Sequence, residues 1–184
     1  MILTIAYAGQ PGAFAEEACR AFRPDHEPVS FEGFADVAAA VVEGRAVRGM
    51  IPLENSISGP VPGVAALISQ TGLLVEERRE LPVRMHLLGF ADAALDALER
   101  ITSHPVALAQ CAGNLAQFSV RLEAADNTAA SARRLAASGD RKAAVLASEH
   151  AASLYGLTIL RHDLQDRADN FTTFGVVRRD ATAP

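Results

Sequence analysis

The strongest constraint on the fold is the alternation of strand and helix patterns through the first 72 residues. Short apolar runs with strand character alternate with segments in which apolar residues recur at helical spacing. The predicted strands are residues 2–7, 28–31 and 47–51, and the predicted helices are residues 13–22, 33–43 and 64–71. This β-α-β-α-β-α order is typical of an α/β protein, in which mostly parallel sheets carry helices on both faces.

The middle of the chain, near residues 82–157, repeats the same alternation, and a last strand is predicted at residues 171–179. We therefore expect residues 1–184 to form one domain with two lobes. Lobe 1 is expected at about residues 1–78 plus 164–184, and lobe 2 at about residues 79–163. A cleft between two such lobes is a usual place for a small ligand to bind.

Composition and charge argue against several kinds of partner. The chain has 22 acidic and 17 basic residues and no basic block, which argues against nucleic acid as the main partner. No apolar run is long enough to span a membrane, and the first residues lack the basic start of a signal peptide, so we expect a cytoplasmic protein. Cys19 and Cys111 lack the spacing of metal ligands, and no glycine-rich phosphate loop occurs.

A polar cluster of Glu54, Asn55, Ser56 and Ser58 lies between the third predicted strand and the third predicted helix. In α/β proteins, ligands collect where strands end and helices begin. We interpret the cluster as a candidate binding turn. The alternative is a group of capping residues that only begins the helix.

Comparable polar stretches occur at residues 9–12, at residues 103–105 together with Gln110, and at residues 170–174. The first two, like the cluster at residues 54–58, are expected at the start of a helix. Helix N-termini present N–H groups and the positive end of the helix dipole. These three stretches therefore suit an anionic ligand.

Five segments carry a resemblance to a known family. They are IAYAGQPGAF at residues 5–14, PLENSISG at 52–59, SHPVALAQC at 103–111, ASEHAASLYGL at 147–157 and NFTTF at 170–174. In this order and spacing they resemble the catalytic domain of prephenate dehydratase along nearly the whole chain. Many members of the family continue into a phenylalanine-binding regulatory domain, whereas this sequence stops shortly after its last predicted strand, so both a single-domain enzyme and a piece of a longer chain stay open.

The resemblance implies a two-lobed fold like that of type II periplasmic binding proteins. It also implies a cytoplasmic lyase of phenylalanine biosynthesis, which converts prephenate to phenylpyruvate with loss of water and carbon dioxide. No metal or organic cofactor is expected, and the partner would be the small anionic substrate rather than nucleic acid or a membrane. Relatives of this kind further suggest a homodimer.

The resemblance also assigns roles to individual residues. Thr172 matches the threonine of the family's T-R-F motif, to which the role of proton donor to the leaving hydroxyl is assigned. The binding residues of the family correspond to Asn55, Ser103 and Gln110. Further candidates for substrate binding are Ser56, Glu54, His104, Thr173 and Phe174.

One departure from the family pattern leaves alternatives open, because Thr173 stands where the T-R-F motif has an arginine. Threonine cannot offer the fixed fork of donors that an arginine presents to a carboxylate. Three explanations are open: replacement by another cation, weak activity, or a changed reaction. The candidate cations are Arg84, His86, His104 and Arg161. The alternative functions are a prephenate decarboxylase that does not form an aromatic ring, an arogenate dehydratase, and a non-catalytic binding module.

Overall fold

The computed structural model describes residues 2–180, which divide into two compact units. The first unit contains the residues up to Gln10, Phe14–Pro82 and the residues from Asp169 onward. The second unit contains Pro11–Ala13 and Val83–Ala168. Residue 1 and residues 181–184, which belong to the expected domain, lie outside the described part of the chain.

Strands and helices follow the predicted order with shifted ends. The strands are β1 (Thr4–Ala8), β2 (Glu27–Phe31), β3 (Arg48–Asn55), β4 (Gly59–Pro60), β5 (Leu73–Pro82), β6 (His86–Gly89), β7 (Arg100–Ser103), β8 (Arg121–Ala124), β9 (Ala143–Ala147), β10 (Thr158–Arg161) and β11 (Phe171–Arg179). The helices are α1 (Phe14–Phe22), α2 (Phe34–Val42), α3 (Val64–Thr71), α4 (Pro105–Gln110), α5 (Ala112–Leu115), α6 (Thr128–Ser138) and α7 (Glu149–Tyr155), with a 3₁₀ turn at Leu95–Ala97.

The first unit is built on a sheet in the order β2-β1-β3-β11-β5, with β4 paired to the end of β3. Strand β1 runs parallel to β2 and β3, whereas β11 is antiparallel to both β3 and β5. The sheet is therefore mixed rather than mostly parallel. The reason is that β11 arrives from the far end of the chain and inserts, in the opposite direction, between strands that crossover helices have aligned.

Helices cover both faces of this sheet, as the sequence predicted. Ile5 and Met50 pack with residues of α1, and their neighbours Ala6 and Ile51 pack with residues of α2 and α3. Successive side chains of a strand point to opposite faces, so a strand covered on both sides must be apolar at consecutive positions. The expected α/β fold class is confirmed.

The second unit has a sheet in the order β10-β6-β9-β7-β8, antiparallel from β10 to β9 and parallel from β9 to β8. Leu88 and Val145 of this sheet pack against Ala132 of α6 and Ala151 of α7. The sequence predicted one helix through residues 105–118, but the helix breaks at Cys111, whose φ is −117° and ψ is 8°. Among residues 2–180, the helices are too short or too polar to cross a bilayer.

Candidate active site

The polar cluster at residues 54–58 lies in a β-hairpin and not at the start of a helix. Strand β3 continues through Glu54 and Asn55, and the chain turns back so that Asn55 pairs with Gly59. Gly59 has a φ of +79°, which glycine adopts without steric cost. Helix α3 begins only at Val64. The helix-dipole argument for an anion at this turn was therefore wrong.

Asn55 connects this hairpin to β11 through both ends of its amide. Its Oδ1 accepts hydrogen bonds from the backbone N–H groups of Ile57 and Ser58, at 3.0 and 3.1 Å. Its Nδ2 donates to Asn170 Oδ1 and to the Phe171 carbonyl, both at 2.9 Å. The same Nδ2 lies 3.2 Å from the hydroxyl oxygen of Thr172. The amide orientation of Asn55 is thus fixed by partners on both sides.

Thr172 lies directly opposite Asn55 in the β3–β11 pairing and opposite Leu81 in the β5–β11 pairing. Its hydroxyl oxygen accepts the hydrogen bond from Asn55, so its own O–H hydrogen can be given to another group. Donation by Asn55 draws electron density from the oxygen and makes the hydroxyl a stronger donor. This is the property that a neutral proton donor requires.

The strand geometry separates Thr172 from Thr173. Phe174 packs in the core on the α1 face together with Leu81, which pairs with Thr172. Because side chains alternate along β11, Thr173 points to the opposite face, where it pairs with Glu54 on one side and Glu80 on the other. The residue that replaces the family arginine is therefore flanked by two carboxylate residues and not by Thr172.

Ser56 is also committed to the junction of the hairpin with β11. Its hydroxyl donates to the Asp169 carbonyl at 2.9 Å and accepts from the Phe171 N–H at 3.0 Å. Its backbone N–H donates to the Phe171 carbonyl at 2.9 Å. Ser56 therefore holds the start of β11 beside Asn55.

The other candidates lie in the second unit. Ser103, at the end of β7, is fully buried, and its hydroxyl donates to the Leu146 carbonyl at 2.8 Å. His104 is the N-cap of α4, and its Nδ1 accepts from the Val106 N–H at 3.2 Å. Gln110 is the last residue of α4. The structure thus brings Asn55, Ser56 and Thr172 into one network, and places the other three on a separate unit.

The turn at residues 9–12 is held through two of its backbone carbonyl groups. The carbonyl of Pro11 accepts from the Tyr155 hydroxyl at 2.6 Å, and the carbonyl of Gly12 accepts from Ser148 Oγ at 3.1 Å. Gly12 has a φ of +90°, and a Cβ there would lie 3.2 Å from the Tyr155 ring and 3.3 Å from Ala151. Helix α7 and its N-cap residue therefore hold this turn by donating to the carbonyls of Pro11 and Gly12.

Two of the cations considered as substitutes for the family arginine have other partners. Arg84 forms an ion pair with Asp163 at 3.0 Å. His86 is buried, and its Nδ1 accepts the Asp163 N–H at 3.1 Å. Burial lowers the pKa of His86, although the nearby Asp163 carboxylate opposes this effect, so the ring is neutral at pH 7.

Sequence reasoning missed Asp166, which holds the break between α4 and α5. Its carboxylate accepts the backbone N–H groups of Gly113 and Asn114, both at 2.9 Å. Burial, with the Asp166 charge, raises the pKa of the Cys111 thiol to about 12, so this thiol is neutral. A local sequence pattern cannot predict this contact, because Asp166 and the residues it binds are more than 50 positions apart in the sequence.

Comparisons with known proteins place the chain in a family. The model of the prephenate dehydratase family matches residues 5–182. A bifunctional N-acyl-homoserine lactone acylase/prephenate dehydratase from Komagataeibacter europaeus is 37% identical over 98% of this chain and 64% of the relative. Arogenate dehydratase/prephenate dehydratase 2 from Arabidopsis thaliana is 36% identical over 98% of this chain and 47% of the relative.

A crystal structure of prephenate dehydratase from Arthrobacter aurescens in complex with L-Phe is similar to this structure. It has a TM-score of 0.89 and 26% identity, and the match covers 99% of this chain and 62% of that chain. The chain thus spans about half to two thirds of the length of these relatives. By its match to the family model over nearly all its length, the chain belongs to the prephenate dehydratase family.

Proposed function

We propose that this chain converts prephenate to phenylpyruvate, with Thr172 as the proton donor to the leaving hydroxyl. The observation that carries the proposal is the 3.2 Å hydrogen bond from Asn55 Nδ2 to Thr172 Oγ1. That bond occupies the hydroxyl as an acceptor and leaves its hydrogen for the substrate. The network of Asn170, Ser56 and the hairpin fixes Asn55 in the orientation that this requires.

The reaction consists of two coupled bond cleavages. The bond between the ring and its carboxylate breaks, carbon dioxide leaves, and the electron pair enters the ring. The ring C–O bond breaks at the other end of the conjugated system, and the departing hydroxide takes the proton of Thr172 to form water. Aromatisation provides the driving force, and the threonine oxygen then recovers a proton from solvent.

Asn55 assists this step through the same hydrogen bond. As the proton leaves Thr172, negative charge develops on Oγ1, and a fixed N–H donor stabilises the developing charge more than the neutral hydroxyl. A positioned acid of this kind typically contributes about 10²–10⁴-fold to the rate. Retention of a hydroxyl at position 172 favours dehydration over decarboxylation without ring aromatisation, because the latter reaction has no leaving hydroxyl to protonate.

Arogenate is the alternative substrate, since one relative carries both activities in its name. Prephenate and arogenate share the ring hydroxyl and ring carboxylate and differ in the side chain, where arogenate has an amine in place of the ketone. The proposed role of Thr172 is the same for both. Purified protein should therefore be incubated with each substrate, and phenylpyruvate and phenylalanine measured by chromatography.

We expect prephenate to yield phenylpyruvate. In alkali, the formation of phenylpyruvate also appears as new ultraviolet absorbance. Folded protein that yields neither aromatic product would overturn the proposal and favour a binding module, which calorimetry with prephenate would then detect. A non-aromatic product that has lost carbon dioxide would identify the decarboxylase.

Acylase activity is a second candidate, supported by the name of the relative from Komagataeibacter europaeus. This relative is named for both activities, so its similarity does not choose between them. Release of homoserine lactone from an N-acyl-homoserine lactone is the measurement that decides. If acylase activity occurs, comparing its loss in Thr172→Val with the loss of prephenate turnover shows whether the two reactions use the same hydroxyl.

A further inference from the structure

We infer that Asp166 is a positioning residue. It fixes the position of Gln110, and the side chain of Gln110 binds the carboxylate-bearing substrate. This inference rests on the proposed function, together with the binding role that the family resemblance assigns to Gln110. Asp166 itself is not assigned a contact with substrate. Within residues 2–180, its hydrogen bonds are with the corner where α4 ends and α5 begins, a region defined as residues 110–114.

The first contacts are those of the Asp166 carboxylate with Gly113 and Asn114, one oxygen to each N–H at 2.9 Å. These N–H groups belong to the first turn of α5, where no intrahelical acceptor exists. Helix α5 has only four residues, which is too short to be stable without tertiary contacts. A charged acceptor for two N–H groups at a helix N-terminus supplies such a contact from a distant part of the chain.

The second contact reaches Gln110 directly. The backbone N–H of Asp166 donates to the Gln110 carbonyl at 2.8 Å, so one residue binds the end of α4 and the start of α5. Cys111, between them, is fully buried. Gln110 therefore has a fixed backbone on both sides, and the direction in which its side chain leaves the helix is determined.

The fit at Gly113 shows how closely the carboxylate approaches. A Cβ at position 113 would lie 3.1 Å from Asp166 Oδ1, which is tighter than most real contacts of a Cβ. A side chain at this position would displace the carboxylate from the N–H groups. The absence of a Cβ at position 113 thus permits the contact with Asp166.

The segment that carries Asp166 is itself anchored. Asn114 Nδ2 donates back to the Leu164 carbonyl at 3.2 Å, and the Leu164 N–H donates to the Met85 carbonyl at 2.7 Å. Gln165 Oε1 accepts the Met85 N–H at 2.9 Å. Residues 164–166 therefore connect the corner to the backbone just before β6, and Asp166 has a fixed frame from which to hold Gln110.

The test is a double-mutant cycle on steady-state kinetics with prephenate, using Asp166→Ala, Gln110→Ala and the double variant. Asp166→Ala removes the carboxylate bonds to Gly113 and Asn114 and keeps the backbone bond to Gln110. We expect it to raise KM by roughly 3- to 30-fold, because the end of α4 then loses its fixed position against the start of α5. The kcat should change much less, because a binding contact shared by ground and transition states affects mainly KM. The double variant should have the KM of Gln110→Ala alone, because Asp166 acts through Gln110.

Asp163→Asn is the matched control. Asp163 lies close to the same segment, and this variant removes the charge that pairs with the exposed Arg84 and that accepts a 3.4 Å hydrogen bond from Gln165. The Asp166 contacts stay in place, so KM should stay within about twofold of the original. Effects of Asp166→Ala and Gln110→Ala that multiply in the double variant would overturn the inference, as would a KM unchanged in Asp166→Ala.

Amide hydrogen exchange tests this inference separately from the proposed function. It is measured in Asp166→Asn, so the test stands even if Asp166→Ala folds poorly. In Asp166→Asn, one acceptor oxygen remains and the other is replaced by a donor that faces an N–H group. We expect faster exchange at Gly113 and Asn114 with unchanged exchange in β9. Unchanged exchange at both residues would overturn the inference, whereas a chain without turnover that shows the faster exchange would contradict only the proposed function.

Discussion

The side-chain amide of Asn55 donates a hydrogen bond to the hydroxyl oxygen of Thr172 over 3.2 Å, although 117 positions separate the two residues in the sequence. The contact exists because β11 returns from the end of the chain and pairs with β3 so that the two residues are directly opposite. The same donor also reaches Asn170 and the Phe171 carbonyl. The Asn55 amide therefore both binds the hairpin to β11 and donates to the Thr172 hydroxyl.

Replacing Thr172 by valine tests the proton donor with a side chain of nearly the same shape. We expect kcat for prephenate to fall by about 10²–10⁴-fold, the usual contribution of a general acid, with a small change in KM. Thr172→Ser keeps the hydroxyl and should retain much more activity than Thr172→Val. Circular dichroism of each variant checks that the strand is intact, and full turnover in Thr172→Val would exclude the assigned role.

Asn55→Asp tests the amide donor while keeping the size of the side chain. The new carboxylate oxygen would face three acceptors, on Asn170, Phe171 and Thr172, in place of the N–H groups that now bind them. We expect the free energy of unfolding to fall by about 1–3 kcal/mol, measured by urea denaturation, because buried acceptors lose their donor. Turnover should fall as well.

Ser58→Ala is the control for Asn55→Asp. It removes a single hydrogen bond on the Oδ1 side of Asn55, at 3.2 Å, and leaves the donor to Thr172 in place. We expect a loss of about 1 kcal/mol or less and near-normal turnover. Equal losses of turnover in the two variants would show that the hairpin, and not the Nδ2 donor, is what the reaction depends on.

The parts of the fold that depend on local pattern were predictable from the sequence. Apart from β4, the strands and helices up to α3 appear where apolar spacing placed them. Capping is equally local at two helix ends, since Asn127 caps α6 through the Ala130 N–H and Gly156 ends α7 with a φ of +67°. These features are determined by residues within a few positions of one another, so a sequence window contains the whole cause.

The parts that depend on distant pairing were not predictable. Nothing near Asn55 shows that a strand starting at Phe171 will insert beside it in the antiparallel direction. The turn after Asn55 was interpreted as leading to a helix because the hairpin partner, β4, has only two residues. The break in the helix at Cys111 depends on Asp166, which a helical pattern cannot include.

Thr173→Arg restores the arginine of the family's T-R-F motif. It tests whether a side chain at position 173 contacts substrate or lies on the opposite face of the sheet from Thr172. The new side chain would have Glu54 and Glu80 as cross-strand neighbours. Thr173 is buried, whereas Glu54 and Glu80 are exposed. We expect the free energy of unfolding to fall by about 1–3 kcal/mol, because a larger side chain must be fitted at a buried position, and KM for prephenate to stay within about twofold. Thr173→Glu, with three acids side by side, should be destabilised. A large fall in KM in Thr173→Arg would place position 173 in contact with substrate.

Gly12→Ala tests the turn held by α7. The substitution forces a methyl group to within 3.2–3.3 Å of Tyr155 and Ala151 at a φ of +90°. Gly44→Ala is a matched control, because Gly44 also has a positive φ, +74°, but open space around it. We expect Gly44→Ala to cost about 1 kcal/mol from backbone strain, and Gly12→Ala to cost more because it adds the steric contact. Equal costs in chemical denaturation would contradict the close packing at Gly12.

His86 predicts a pH dependence of stability. Burial lowers the pKa of its ring below the ordinary value of about 6.5, with His162 and Arg84 acting in the same direction and Asp163 and Glu149 opposing them. The unfolded chain therefore binds a proton at this residue more readily than the folded chain does. The stability that the neutral ring contributes is complete above about pH 6.5 and is lost as pH falls through the lowered pKa.

We accordingly expect the free energy of unfolding to decrease between pH 7 and pH 5, and the decrease to be smaller in His86→Gln. The amide oxygen of glutamine can accept the Asp163 N–H that now binds His86 Nδ1 at 3.1 Å, and it does not titrate. Arg84→Gln is the second arm, because it removes a positive charge that lowers the pKa of His86, so the decrease in stability should be smaller and should end at a higher pH. An identical pH profile in His86→Gln and the original chain would show that another group causes the loss of stability.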